Sequence, residues 1–372
     1  MNLLHRHIFW SVLTTCLASV GLFAAVLILG NALKDMIGFV MAGQIGIDTF
    51  GYLMALLVPY VAAYALPMGV LLGVLLVLGR LSAQHEITAM RAAGMSLTYI
   101  ARPVLILGVF GAVVALAVNF EFMPRARTAY KNILADAVQA NPLSFIVPKT
   151  FVRDFPNIVL YVDEKEGAVL RDVWFWRLDH ENRVREFGRA QSGELHFDEE
   201  NASLDVVLRG VSAEARNDKD PEDYSKMLGT TSVGELPLSF RVDDIFNRRQ
   251  SRQKFAWMTF AELVVAKEQF RTAGDAGKLL SASMAMNEKA SSALAVLAFA
   301  LMAIPLGVRV SRKETSANLG VALLLVMSYY FLTVIVSWLE AKPALRPDLL
   351  MWCPALLFLG VGVWMFTRLD RA

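Results

Sequence analysis

Residues 66–96 read LPMGVLLGVLLVLGRLSAQHEITAMRAAGMS, and they carry the chain from one chemical environment into another. From Leu66 to Gly79 no residue is charged. That half belongs inside a bilayer, whose hydrocarbon core of about 30 Å takes about 20 apolar residues of helix. At Arg80 the composition changes. Ala83, Ile87, Met90, Gly94 and Leu97 then recur at spacings of 4, 3, 4 and 3, a narrow apolar stripe on a short helix, while His85, Glu86 and Arg91 project elsewhere. A surface helix between two spans thus offers an apolar ridge and a charged flank, a form that docks into a partner's groove.

Working outward, six segments are long and apolar enough to span: residues 8–33, 52–79, 103–120, 290–308, 317–339 and 349–367, none with a Lys, Arg, Asp or Glu inside these limits. Over all 372 residues, 56% are hydrophobic and 19% charged, against a typical charged share of ~25%. This excludes a disordered chain and argues against an ordinary soluble enzyme. The net charge of +2 provides no basic field for nucleic acid. Two cysteines, Cys16 and Cys353, are too few for a disulfide framework. The first segment follows Leu4-His5-Arg6-His7 and outruns the ~7–15 apolar residues of a signal peptide, so it is expected to be retained.

Short flanks set orientation through Lys and Arg. With the N-terminus inside, the inner flanks hold nine: Arg6, Arg80, Arg91, Arg102, Arg309, Arg312, Lys313, Arg368 and Arg371. The outer loops hold three: Lys34, Lys342 and Arg346. Both termini are therefore expected in the cytoplasm, with the polar stretch from Pro124 to about Arg252 on the far side. That stretch has short β-branched or aromatic runs, at residues 158–162, 173–176, 194–197 and 203–208, separated by turn clusters at 179–182 and 198–201. It reads as an all-β sandwich or jelly roll. After it, Thr259-Phe260-Ala261-Glu262 predicts a capping box and Gly274 the stop of a helix. The expected domains are residues 1–123 with three spans and a cytoplasmic helix at about 81–97, 124–252 as the β-domain, and 253–372 as a linker helix with three spans.

Enzyme motifs are missing. Gly274-Asp275-Ala276-Gly277-Lys278-Leu279 has the wrong glycine spacing for a phosphate loop, and His85-Glu86 lacks the second histidine of a zinc-protease helix. No metal site and no cofactor is implied. With no Asp, Glu, His, Lys or Arg inside the limits drawn for the spans, an ion-coupled pump is disfavoured. If the chain moves something uphill, the energy enters through another subunit.

Residues 66–96 resemble the lipopolysaccharide-export permease family LptF/LptG, also called YjgP/YjgQ. The resemblance extends to the six spans, the β-domain after the third, and Pro305-Leu306-Gly307 in the fourth. It implies a membrane α-helical fold with an inserted periplasmic jelly-roll-like domain, in an inner-membrane ABC exporter of lipopolysaccharide. It also implies a set of partners: an LptB-type ATPase dimer that uses the ATP, a second permease of the family, LptC/LptA-type periplasmic jelly rolls and membrane lipid. Carried over by residue, Glu86 matches the acidic position of the coupling helix and Gly94 the glycine that ends it, with Ala89, Met90 and Arg91 facing the ATPase groove. A solvated flank is the alternative for Glu86 and Arg91.

Lys34 resembles a basic residue placed near the lipopolysaccharide headgroup, with a snorkelling anchor as the alternative. The first and fifth spans would be lateral gates, with Ser11, Thr14, Thr15, Gly21 and Gly30 in one and Gly320, Ser328 and Thr333 in the other allowing separable packing. Two other readings remain at this point. A lipoprotein-release or MacB-like permease also pairs spans with an external domain, but places it after the first span. A membrane scaffold or sensor would need no ATPase.

Overall fold

The computed structural model describes residues 3–31, 46–140, 146, 148–153, 155, 157–179, 183–198, 203–216, 229–241, 255–309 and 315–370. The chain divides into two compact units, one of residues 1–34, 52–130 and 254–372, the other of residues 35–51 and 131–253.

The first unit is helical. Its elements are α1 (Leu3–Asn31), α2 (Ile47–Ala83), α3 (Glu86–Ala92) and α4 (Leu97–Ala117), then, past the second unit, α6 (Phe260–Ala273), α7 (Ala276–Arg309), α8 (Thr315–Trp338), α9 (Pro347–Leu350) and α10 (Cys353–Asp370). Among the described residues, six helices are long and apolar enough to cross a membrane. The core lies among α2, α4, α7 and α10, around Leu71, Leu75, Ile100 and Phe299. Phe299 of α7 meets Tyr329 and Phe358 edge to face, with ring centroids 5.3 and 5.5 Å apart.

Two helices run past the expected limits. α4 continues through a single π-helical turn, Val118–Phe122, into α5 (Met123–Ala140), where the sequence reading had already placed polar, strand-like chain. Pro124 explains the turn: proline lacks an N–H and its ring crowds the carbonyl four residues back, and one π-type turn relieves both without ending the helix. α7 begins at Ala276, well before residue 290. The limit at 290 came from refusing charge inside a span, and that rule fails here: Glu288 and Lys289 lie within the apolar helix, and Lys289 is only 6% exposed.

α6 forms as read. Thr259 Oγ1 accepts from the Glu262 N–H, the Glu262 carboxylate accepts in return from the Thr259 N–H, and Gly274 closes the helix at φ +72°.

The second unit carries a six-stranded antiparallel sheet in the order β1 (Phe151–Val152), β2 (Ile158–Glu166), β3 (Val169–Leu178), β4 (Val184–Asp198), β5 (Ser203–Ala215) and β6 (Gly229–Arg241). The all-β insert is as expected, and its strand order is a plain meander. All four runs read as strands lie in β2 to β5. Strand β6 was missed because Gly234 and Pro237 interrupt it, and Pro237 is tolerated because β6 is at the sheet's edge.

One line crosses the sheet. Pairing is interrupted where Asp163 faces Asp172, Asp172 faces Gln191, Gln191 faces Gly210 and Gly210 faces Gly234. On one side of it the buried residues are Leu170, Leu195 and Leu208; on the other they are Val173, Ala190 and Val211, so the alternation changes phase by one residue in β3, β4 and β5. A one-residue slip should turn the apolar side chains outward. Left-handed backbone at Asp172 (φ 52°) and Gly210 (φ 64°) absorbs the extra step and keeps one face apolar throughout. Beyond the line, half-buried Lys165 donates to the Ile146 carbonyl at 3.0 Å, and its burial lowers the ammonium's pKa.

Candidate functional site

The elbow between α2 and α4 is the first candidate. His85 turns the chain with φ 60°, α3 follows for seven residues, and Gly94 at φ +84° reverses it again. Ser96 then caps α4, its Oγ accepting from the Tyr99 N–H at 3.2 Å. Ile87 (3% exposed) and Met90 (8% exposed) insert into the helical core, while Glu86, Ala89 and Gly94 are exposed and Arg91 half-buried. Met90 therefore faces inward and does not share the surface of Glu86 and Ala89. The apolar stripe read from the sequence is real at Ile87, Met90 and Leu97, yet it mounts the helix on its own protein, whereas Ala83 and Gly94 are exposed. What remains for a partner is the face of Glu86, Thr88 and Ala89.

This elbow is tied to several spans. Ser82 Oγ donates to the Val308 carbonyl at the end of α7. His5 of α1 lies against Tyr99 of α4, Nε2 3.0 Å from its carbonyl oxygen and the rings 4.3 Å apart. The elbow is thus joined to α7 through Ser82 and to α1 through Tyr99.

The second candidate is the pair of least buried spans. Only 17% of α1's most apolar window and 22% of the fifth span's are buried, against 67% for α2 and for α7. Leu17, Val26, Met327, Phe331 and Trp338 stand exposed on them. Thr14, Thr15, Ser328 and Thr333 each donate to a carbonyl four residues back, so their hydroxyls are satisfied within their own helices. α1 approaches α2 where α2 carries Gly69 and Gly73: a Cβ on Gly73 would lie 2.6 Å from the Cα of Cys16. This small-xxx-small pair stands inside the opening stretch of sequence and is the signal, left unused there, that places α1. Lys34 lies outside the described residues.

The third is a polar cluster inside the helical unit. Asn119, 3% exposed in the π turn, donates to the Lys289 carbonyl at 3.2 Å and to Ser292 Oγ at 2.8 Å. Lys289 Nζ donates to the Met258 carbonyl at 2.5 Å and faces the Phe120 ring at 5.7 Å. Arg127 lies over Trp257 at 3.9 Å and Tyr60 at 5.1 Å. Sequence reading missed the cluster because its charged pair adjoins the apolar run at residue 290. Among the described residues no group of three or more His, Cys, Asp or Glu could hold a metal ion.

A family model described as "Lipopolysaccharide export system permease LptF/LptG" matches residues 6–368. Among curated proteins, "Lipopolysaccharide export system permease protein LptF" of Escherichia coli strain K12 is 25% identical over 341 residues, covering 89% of this chain and 86% of the relative. The protein of the same name from Shigella flexneri matches to the same extent. The lipoprotein-release and scaffold readings give way to this. With six helices able to cross a membrane, a β-sheet unit inserted after the third, and a match running nearly end to end, the chain belongs to the LptF/LptG family of lipopolysaccharide export permeases.

Proposed function

We propose that this chain is one transmembrane half of an ABC exporter that draws lipopolysaccharide out of the inner membrane and hands it to periplasmic β-proteins. The single observation that carries this is the full-length family match. Pulling one long acyl chain into water costs on the order of 10 kcal/mol at about 0.8 kcal/mol per CH₂. A second permease of the family would enclose the lipid against the exposed faces of α1 and α8, which serve as the lateral gates. An LptB-type ATPase dimer would hydrolyse the ATP and push on α3, with Glu86 and Ala89 in its groove, Arg91 on the flank, Gly94 setting the turn and Met90 holding the helix from beneath. Lys34 offers a point charge for a headgroup phosphate.

Both termini and α3 are cytoplasmic in this reading, which rests on the nine-to-three distribution of flanking basic residues. The sheet is periplasmic and passes acyl chains on by strand pairing with an LptC/LptA-type partner. Strand β6 supports this: among the described residues no strand covers its outer edge.

The test is affinity purification of the chain in mild detergent, reading proteins and lipids by mass spectrometry. Recovery of a P-loop ATPase, a second six-span permease and lipopolysaccharide supports the assembly. Recovery of neither the ATPase nor the second permease, under conditions that hold a known ABC exporter together, overturns it.

A further inference from the structure

The face of the sheet turned away from its core carries a run of rings. Leu160, Val173 and Phe175 are buried in that core, so by alternation Tyr161, Trp174 and Trp176 stand on the opposite face, where Phe187 pairs with Trp176. Phe151 of β1, 53% exposed, begins the run. Its ring centroid lies 5.0 Å from that of Tyr161 and 5.6 Å from that of Trp176, and Phe187 lies 5.5 Å from Trp176 and 5.7 Å from Trp174. Five rings thus form one strip from β1 to β4, and none of them belongs to the buried cluster on the other side. Charge borders the strip, where the Arg189 guanidinium lies 4.9 Å over Trp174 and forks onto Asp172. Next to it opens a cavity of about 540 Å³, within the roughly 300–1,000 Å³ common to small-ligand sites. Phe151 and Trp176 line this cavity with Val159, Leu178, Arg153 and Asn157. Arg153 is exposed, and Asn157 is set in left-handed backbone (φ 58°) with its carbonyl accepting from the Leu178 N–H at 2.7 Å.

We propose that this cavity binds an acidic or phosphorylated sugar, its C–H face against the Phe151 and Trp176 rings, Arg153 paired with its anionic group and the Asn157 amide with its hydroxyls. A pyranose presents weakly positive C–H groups on one face and hydroxyls at its edge, which matches rings with negative faces beside an amide that both donates and accepts. A planar guanidinium takes a carboxylate or phosphate through two parallel hydrogen bonds. The rest of the aromatic strip gives neighbouring sugars of a longer chain the same surface. An acyl chain satisfies neither Arg153 nor Asn157. A strand added by a partner pairs with backbone at a sheet edge and leaves these side chains unused. The source of the sugar rests on the export reading: it is the oligosaccharide headgroup of lipopolysaccharide.

The experiment is saturation-transfer NMR of the full chain in detergent, titrated with two probes: the phosphorylated core oligosaccharide released from lipopolysaccharide by mild acid, free of acyl chains, and a neutral glucan of similar length. The phosphorylated oligosaccharide should bind saturably and more tightly than the glucan by on the order of tenfold, a preference that Arg153→Gln should erase. Trp176→Leu should weaken both probes. Should Trp176→Leu fail to fold, Arg153→Gln, a change at an exposed side chain, carries the test alone. Absence of saturable binding, equal binding of the two probes, or an unchanged preference in Arg153→Gln overturns the proposal. Co-purification of lipopolysaccharide with the same preparation separates this site from the export reading. Lipopolysaccharide recovered by a chain that does not bind the free oligosaccharide overturns the sugar site alone, whereas oligosaccharide binding by a chain that recovers no lipopolysaccharide supports the sugar site and counts against export.

Discussion

The Oγ of Ser82 donates to the carbonyl of Val308 across 2.8 Å, tying the end of the second spanning helix to the end of the fourth just ahead of the elbow. Ser82→Ala leaves that carbonyl without this donor and should cost about 1 kcal/mol. Thermal melting should show that small loss, and lipid transported per ATP hydrolysed should fall further than stability does. Ser82→Thr, which keeps the hydroxyl, should restore the ratio. A ratio unchanged in Ser82→Ala would mean the tie carries no load.

Gly73 sets how closely α1 can lie. A Cβ there meets backbone, the Cα of Cys16 at 2.6 Å, and backbone cannot rotate aside. Gly73→Val should push α1 off α2 and cost roughly 1–3 kcal/mol. Gly21→Ala is the control, since a Cβ there meets nothing within 4 Å. Melting in detergent separates the two: the first variant should lose stability and the second should not.

Much of this was legible in the sequence, and the failures share a cause. Six apolar runs, four strands and the Thr259–Glu262 capping box could be read because each depends on local pattern. The stripe of Ile87, Met90 and Leu97 was read correctly as apolar, and its side chains pack into the chain's own core. Periodicity reports that a face is buried, not what buries it. Glu288 and Lys289 were lost to a charge-free limit on spans, though Lys289 is satisfied by Met258 and Phe120 from distant parts of the chain. The phase change at Asp172, Gln191 and Gly210 was present in the alternation but needed the backbone to show that all three lie on one line.

At that line Gly210 takes φ 64°, and a Cβ would come 3.2 Å from Gln191 Cγ. Gly210→Val should therefore cost about 1–2 kcal/mol from the left-handed conformation alone. Hydrogen exchange should show the loss in β4 and β5, with the spanning helices unaffected. Equal protection in variant and wild type would contradict the bend.

Asp172 on the same line gives a pH signature. Arg189 holds its carboxyl below the usual carboxylate range through a fork of hydrogen bonds at 2.5 and 3.0 Å. A depressed folded pKa contributes stability above the unfolded value of about 3.9, lost as pH falls through the folded one. The difference in melting between wild type and Asp172→Asn should be small, present at neutral pH, and gone in strong acid. A difference that grows on acidification would have the wrong sign.

The most direct test of the account is ATP-dependent release of lipopolysaccharide from proteoliposomes holding the whole exporter, with wild type set against Glu86→Arg in this chain. Glu86 is exposed on α3, so the variant should fold, insert and melt as wild type does while release falls to background and the ATPase no longer co-purifies. Release at the wild-type rate from Glu86→Arg, with the ATPase still bound, would show that the motor engages the permease elsewhere.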